Sequence, residues 1–277
     1  MKKVLATDLD GTLFYPKDKK NLICKKNLFF IQSFIDNGGE LIIASGRSLD
    51  FGKKVQKVIG RSCTLVCYNG GLTYRNGKII DCDLIDNNIA KEIIDIAFED
   101  LLIPGVFLMT DKGTFIRTKS KSTFIRWCYK VYYSFEGGYA EDFDPSPEAY
   151  EEQLAHGKIN KIMIFFGLGK KANARAANVN KIFRETMDNI ESCWSATTIE
   201  ISPKDCSKGN AIKRLCELES YDADDVFVVG DSGNDISMFK NFNKNSFCMG
   251  HASSTIKKYA KYTIDNFEDL SRYIYEK

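Results

Sequence analysis

Val4-Leu5-Ala6-Thr7-Asp8-Leu9-Asp10-Gly11-Thr12 is the stretch on which the fold turns. Val4 to Thr7 reads as a central parallel strand covered on both faces, and two aspartates follow it at once. In an open α/β sheet ligands bind at the carboxyl ends of the strands, so Asp8 and Asp10 are presented at the functional edge. Two residues apart, they can point toward one site with their charges interacting; such a pair needs a cation or takes up a proton in part. A plain turn, with Asp and Gly chosen for backbone reasons, is the competing reading. An EF-hand calcium loop is excluded, because Gly11 comes too early and Lys19 stands where the bidentate glutamate belongs.

Outward from this stretch the same rhythm recurs. Leu41 to Ala44, Leu65 to Tyr68 and Val226 to Val229 are further apolar runs of strand length. Between them Leu28, Ile31, Phe34 and Ile35 share a helical face that ends at Gly38-Gly39, and Ile212, Leu215, Cys216 and Leu218 suggest another. Strand and helix in alternation predict an α/β fold, a doubly wound (Rossmann-like) parallel sheet.

The middle of the chain breaks the alternation. Val106 to Thr110 and Thr114 to Thr118 flank Asp111-Lys112-Gly113, a hairpin signal, and Ile159 to Phe166 is another strand. Helical patterns run over Ile89 to Phe98 and Ala172 to Met187, and the polar stretch Glu136 to Gln153 reads as a long loop. We expect an inserted α+β module entering at Asp83 and leaving near Glu191, which divides the chain into a core of residues 1–82 and 192–277 and an insert of 83–191.

Composition narrows the function. The chain has 277 residues, about two domains' worth at roughly 150 residues each. Its net charge of +2 is spread over interspersed acidic and basic residues, which argues against nucleic acid as a partner. With 2 histidines, His156 and His251, a three-histidine zinc site is excluded and a histidine base would have to be one of these two; carboxylates are the expected carriers of the chemistry. No apolar run approaches the roughly 18 residues that cross a bilayer, and Asp8 and Asp10 interrupt the amino-terminal apolar segment too early for a signal peptide. The 9 cysteines form no CxxC pair, and Cys67 and Cys248 lie inside apolar runs, a usage that fits a reducing cytoplasm.

Three further constellations fall at strand ends or helix starts. Ser45-Gly46-Arg47 follows Ile43-Ala44 and offers a hydroxyl beside a glycine amide, a clamp for phosphate oxygens, although a turn or helix cap uses the same residues. Ser207-Lys208-Gly209 opens the helix of Ile212 and Leu215, placing a positive charge at a helix amino terminus, where a solvated lysine is the plain alternative. Gly230-Asp231-Ser232-Gly233-Asn234-Asp235 follows Val226 to Val229, and its two carboxylates with an amide suit a hard cation such as magnesium.

All four occurring in order, the sequence resembles the haloacid dehalogenase superfamily phosphatases, specifically the Cof-type branch, over the whole chain. That family carries a DxDGT motif, a serine or threonine at the second strand end, a distant lysine and a GDxxND motif; Tyr68-Asn69-Gly70-Gly71 also resembles its asparagine-glycine turn. The resemblance implies Asp8 as nucleophile and Asp10 as general acid and then base. It implies Mg2+ held by Asp8, the carbonyl of Asp10 and Asp231, with Asp235 acting through water or from behind. Ser45, Gly46, Lys208 and Asn234 would hold the phosphoryl oxygens, Asn69 would contact substrate, and Arg47 would either contact substrate or brace its loop. The insert corresponds to the family's cap, expected to close over a small phosphorylated metabolite such as a sugar phosphate or phosphorylated cofactor. Transfer to an acceptor, as in a phosphomutase, and a non-catalytic phosphometabolite sensor are the alternatives. Gly250-His251-Ala252 departs from the family, which has asparagine before the alanine.

Overall fold

Every residue of strand β1 (Val4–Thr7) is buried, and the chain builds outward from it. The computed structural model describes residues 2–18, 20–99, 105–118, 143–195 and 197–275. After β1 come α1 (Lys25–Asp36), β2 (Glu40–Ala44), α2 (Leu49–Ile59), β3 (Thr64–Cys67), β4 (Leu72–Arg75) and β5 (Lys78–Cys82). A second stretch holds α3 (Asn87–Glu99), β6 (Gly105–Thr110), β7 (Gly113–Thr118), α4 (Pro147–His156), β8 (Ile159–Phe165), α5 (Lys170–Thr186), β9 (Ile190–Ser195) and β10 (Thr198–Pro203). The return supplies α6 (Lys208–Glu219), β11 (Val226–Gly230), α7 (Ile236–Asn241), β12 (Ser246–Met249), α8 (Ser254–Lys257), β13 (Tyr262–Ile264) and α9 (Leu270–Tyr275). These make two compact units, Met1–Cys82 with Ser207–Lys277, and Asp83–Cys206.

The first unit holds an 8-stranded sheet in the order β13-β12-β11-β1-β2-β3-β4-β5. From β13 to β3 every pairing is parallel. Its strands are apolar on both faces because helices cover both. Val4, Ala6, Ile42, Val226 and Val228 pack with Ile212 and Leu215 of α6 and Met238 and Phe239 of α7, while Leu5 and Leu41 are buried on the opposite face. Full burial of one such side chain contributes about 1.5–3 kcal/mol. α2 is bounded by chemistry visible in the sequence: the Ser48 hydroxyl accepts the Phe51 N–H, and Gly60 takes φ +69 at the end. Leu218, expected on the buried face of α6, lies beyond its edge and is 65% exposed.

An edge hairpin absent from the sequence expectation completes the sheet: β4 runs antiparallel to both β3 and β5, so β5 points the same way as the parallel strands. Its signal is Asn76-Gly77, which adopt φ 49 and 84 as a two-residue turn with positive φ at both positions requires.

The second unit is an antiparallel sheet in the order β7-β6-β8-β10-β9. β6 and β7 form the expected hairpin, and Ile162, Ile164, Ile199 and Ile201 pack with Ile93 and Ala97 of α3, Tyr150 of α4 and Val179 and Phe183 of α5. The insert does not end near Glu191. β9 pairs with β10 from Ser195↔Thr198 to Ile190↔Pro203, and β10 pairs with β8, so the unit extends to Cys206. The loop expected over Glu136 to Gln153 is also corrected where it is described: Ser146 caps α4 and Pro147 begins it, since proline's fixed φ suits a first helical turn. Residues 136–142 lie outside the described residues. No described helix is long and apolar enough to cross a membrane.

Candidate active site

β1 is the point from which the chain winds in both directions, to β2 and β3 on one side and, on its return, to β11, β12 and β13 on the other. A crevice at the carboxyl edge of such a switch point is where open α/β sheets bind ligands. Thr7 stands opposite Val229 in the β1–β11 ladder, and the Asp8 N–H donates to the Val229 carbonyl at 3.0 Å. Asp8 is thereby set beside the Gly230-Asp231 turn.

Lys208 joins the two ends of this arrangement. Its Nζ donates to Asp8 Oδ1 at 2.6 Å and to Asp235 Oδ1 at 2.7 Å. Lys208 and Asp235 are fully buried and Asp8 is nearly so. The solvated-lysine reading of Lys208 is therefore wrong. α6 delivers the lysine from its first residue, with the Ser207 hydroxyl capping the helix by accepting the Asn210 N–H at 3.3 Å. Two glycines allow the close approach: a Cβ at Gly209 would overlap the Ser237 backbone, and one at Gly70 (φ +109) would overlap the Ser207 carbonyl.

Asp235 does two things with its two oxygens. Oδ1 takes Lys208, while Oδ2 accepts the backbone N–H groups of Asp231 at 2.9 Å and Ser232 at 3.0 Å. Gly230 makes room, since a Cβ there would overlap the Asp235 carboxyl. The turn presents Asp231, whose Oδ1 accepts the Thr12 hydroxyl at 3.1 Å. Thr12 and Ser232 received no role from the sequence, although both lie inside the quoted motifs.

Asp8, Asp231 and Asp235 each offer a carboxylate oxygen, and these atoms lie within 4.8 Å of one another. Three carboxylates around one ammonium leave an excess of negative charge in a poorly solvated place. Burial raises the Asp8 pKa well above the usual carboxylate value and outweighs the lowering by Lys208, with Asp235 and Asp231 adding to the rise. Asp231 is raised too, by burial and then by Asp235. Burial alone would lower the Lys208 pKa, but Asp235 and Asp8 carry it above the ordinary lysine value, so it stays charged. A divalent cation with hard oxygen ligands fits this charge imbalance, and the donors are all carboxylates. Asp235, engaged at both oxygens, suits a supporting position behind Asp8 and Asp231.

The remaining candidates lie around this cluster. Asp10 is half exposed and forms a two-pronged ion pair with Arg47, whose Nε and Nη2 donate to Oδ2 and Oδ1, each at 2.9 Å. The Ser45 hydroxyl accepts the Arg47 N–H at 3.2 Å, which shapes the loop after β2. Gly46 abuts Asn69, whose Oδ1 would be 2.9 Å from a Cβ there. The same Oδ1 accepts from Asn234 Nδ2 at 3.1 Å, tying the loops after β3 and β11 together. His251 Nε2 lies 3.7 Å from Asp231 Oδ2, and its ring lies against that of Tyr15, tilted by 35° with centroids 4.1 Å apart. That pairing of Tyr15 and His251 had no sequence signal beyond the histidine itself.

Comparison with known proteins agrees with this architecture. A family model for haloacid dehalogenase-like hydrolases matches residues 5–271, and the chain belongs to that family. A 5-amino-6-(5-phospho-D-ribitylamino)uracil phosphatase of Escherichia coli is 25% identical over 264 residues, covering 94% of this chain and 89% of that protein. A phosphoglycolate phosphatase of Methanobrevibacter smithii is 24% identical over 262 residues, covering 95% and 92%. A crystal structure from Thermotoga maritima superposes with a TM-score of 0.79 at 23% identity, covering 100% of this chain and 98% of that one.

Proposed function

We propose that this haloacid dehalogenase-like hydrolase is a magnesium-dependent phosphatase of small phosphorylated metabolites that works through an aspartyl-phosphate at Asp8. The observation that carries the reading is the buried ammonium of Lys208 bridging Asp8 and Asp235 at the β1–β11 switch point, with Asp231 alongside. A surface turn has no reason to bury a lysine among three carboxylates. A phosphoryl site does, because the transferring group carries negative charge that must be neutralised as it passes.

In this reading Asp8, the Asp10 carbonyl and Asp231 hold the cation, with Asp235 behind them. Bound there, magnesium neutralises charge shared by the carboxylates and the phosphoryl group. Lys208, the Ser45 hydroxyl, the Gly46 amide and Asn234 hold the phosphoryl oxygens. Asp8 attacks phosphorus through a carboxylate oxygen, the bond to the leaving oxygen breaks, and Asp10, which enters this step protonated, gives that oxygen its proton and is left as the carboxylate. Water then attacks the aspartyl-phosphate, its proton passes to Asp10, and the bond from phosphorus to Asp8 breaks to release phosphate. The unit Asp83–Cys206 is the candidate for reading the leaving group, with Asn69 as a nearer contact. The 5-amino-6-(5-phospho-D-ribitylamino)uracil phosphatase and phosphoglycolate phosphatase relatives support small esters as the substrate class.

The test is phosphate release from a panel of sugar phosphates and phosphorylated cofactors with and without magnesium, run beside Asp8→Asn. Turnover that needs the cation and vanishes in Asp8→Asn is expected. Substantial turnover by Asp8→Asn removes the nucleophile assignment, and no turnover of any ester by the wild type favours a binding protein.

A further inference from the structure

We infer that Arg47 is a positioning residue for Asp10: it sets the direction of the carboxylate that exchanges protons with the leaving group and with water. The inference rests on the phosphatase reading above and concerns a residue for which the sequence left open contact with substrate or bracing of the loop.

The geometry separates the anchored partner from the oriented one. Arg47 is held on several sides. Its main-chain N–H donates to the Ser45 hydroxyl at 3.2 Å, its carbonyl accepts the Tyr68 N–H at 3.0 Å, and its guanidinium lies over the Phe51 ring, 4.8 Å from the centroid. Phe51 is in turn packed edge-on to Phe14 at 6.3 Å, and both rings are buried. The Arg47 side chain is 15% exposed against 47% for Asp10. Asp10, by contrast, lies half exposed beyond the buried Asp8 and is gripped by the arginine at both oxygens.

Two parallel N–H···O bonds fix what one bond leaves free. A single donor lets a carboxylate rotate about Cβ–Cγ, whereas a planar fork at both oxygens sets its plane, and a lysine cannot supply that fork. Each oxygen keeps a further lone-pair direction outside the fork, so the pairing aims Asp10 without using up its capacity for hydrogen bonding. Proton transfer depends on this aim, and a misplacement of about 1 Å in a reacting group costs on the order of 100-fold in rate.

An arginine acting through Asp10 has a different kinetic signature from one that holds substrate. The leaving oxygen of a sugar phosphate needs a proton as its bond to phosphorus breaks; the 4-nitrophenolate of an aryl ester leaves without one. The experiment measures kcat and KM of the full-length protein on a hexose 6-phosphate and on 4-nitrophenyl phosphate, with magnesium, for wild type, Arg47→Lys, Asp10→Asn and the double variant. For Arg47→Lys we expect kcat/KM on the hexose phosphate to fall by about 100-fold, through kcat and with KM nearly unchanged, while kcat/KM on the aryl ester changes little. In the Asp10→Asn background the Arg47→Lys change should add no further loss, since the two act as one unit. Arg47→Met, which keeps an unbranched stem above Phe51, gives the same comparison if Arg47→Lys does not fold by circular dichroism.

A rise in KM with kcat intact, an equal loss on both esters, or an undiminished loss in the Asp10→Asn background overturns the inference and makes Arg47 a substrate ligand or a loop brace. Absence of wild-type turnover on both esters overturns the phosphatase reading and this inference with it, whereas wild-type turnover with the wrong Arg47 signature overturns this one alone.

Discussion

Lys208 and Asp235 form an ion pair, 2.7 Å from Nζ to Oδ1, in which neither side chain reaches solvent. The same ammonium also serves Asp8 at 2.6 Å, so one positive charge supports two buried carboxylates. Removing it leaves both uncompensated, the situation in which a buried pair is most costly to break. Lys208→Ala should lose about 3–5 kcal/mol of unfolding free energy at neutral pH, measured by urea denaturation without divalent cation, as well as most of its phosphate release. A stability equal to wild type would mean that water enters the cluster and takes the lysine's place.

Asp8 and Asp231 give the cation-free protein a definite pH dependence. Burial raises both pKa values above the ordinary 3.8, so between that value and the raised one the folded state binds more protons than the unfolded state. Stability from these two groups is therefore fully present below the ordinary value and is lost as pH rises through the raised values. A cation that binds only the folded, ionised cluster offsets the loss. Thermal melts in chelator and in millimolar magnesium should show a larger gain in Tm at pH 7.5 than at pH 5, and equal gains at both would contradict the assignment of these carboxylates to the cation.

Gly209 tests the packing that aims Lys208. An added methyl group would overlap the backbone of Ser237, which cannot swing aside as a side chain can. Gly209→Ala should cost about 1–3 kcal/mol and move Lys208 relative to Asp8, so activity should fall beyond what the stability loss explains. A variant with wild-type Tm and kcat would show that α6 and α7 have slack between them.

Excising Asp83–Cys206 and joining Cys82 to Ser207 through a short glycine-serine linker tests where selection resides. The remaining unit keeps its 8-stranded sheet and all of Asp8, Asp10, Ser45, Lys208, Asp231 and Asp235. We expect kcat/KM on the best metabolite to drop steeply and on 4-nitrophenyl phosphate to drop far less. A shortened protein that is folded and still ranks metabolites as the full chain does would place selection in the loops near Arg47, Asn69 and His251.

What could be read from the sequence follows the range of the interactions involved. The strands ending at Thr7, Ala44 and Val229 announce themselves because each is apolar and is followed at once by its polar motif, a signal contained within a few residues. The Asn76-Gly77 hairpin was equally local, but β4 mixes Thr73 and Arg75 with Leu72 and lacks an apolar run to draw attention. The insert extends past its expected end because β10 pairs with β8, from Thr198↔Phe165 to Ile201↔Ile162, and β9 joins the sheet through β10; no local pattern records the distant partner. The same holds within the site. Asp8 and Asp235 could be named from their motifs, while the second duty of Asp235, accepting two backbone N–H groups of its own turn, and the Arg47–Asp10 fork depend on loops that meet only in three dimensions.

Gly70 lies against the carbonyl of Ser207. The residue where the chain re-enters the first unit is seated on the loop after β3 by backbone contact, one position before Lys208. The starting point of α6 is thus set by its own unit, independently of what lies between Cys82 and Ser207. In the reading proposed above, a change in the length of the intervening module would leave this anchor of the lysine untouched. Gly70 is the joint at which the returning chain is fastened, and a side chain there would push the start of α6, and Lys208 with it, away from the loop after β3.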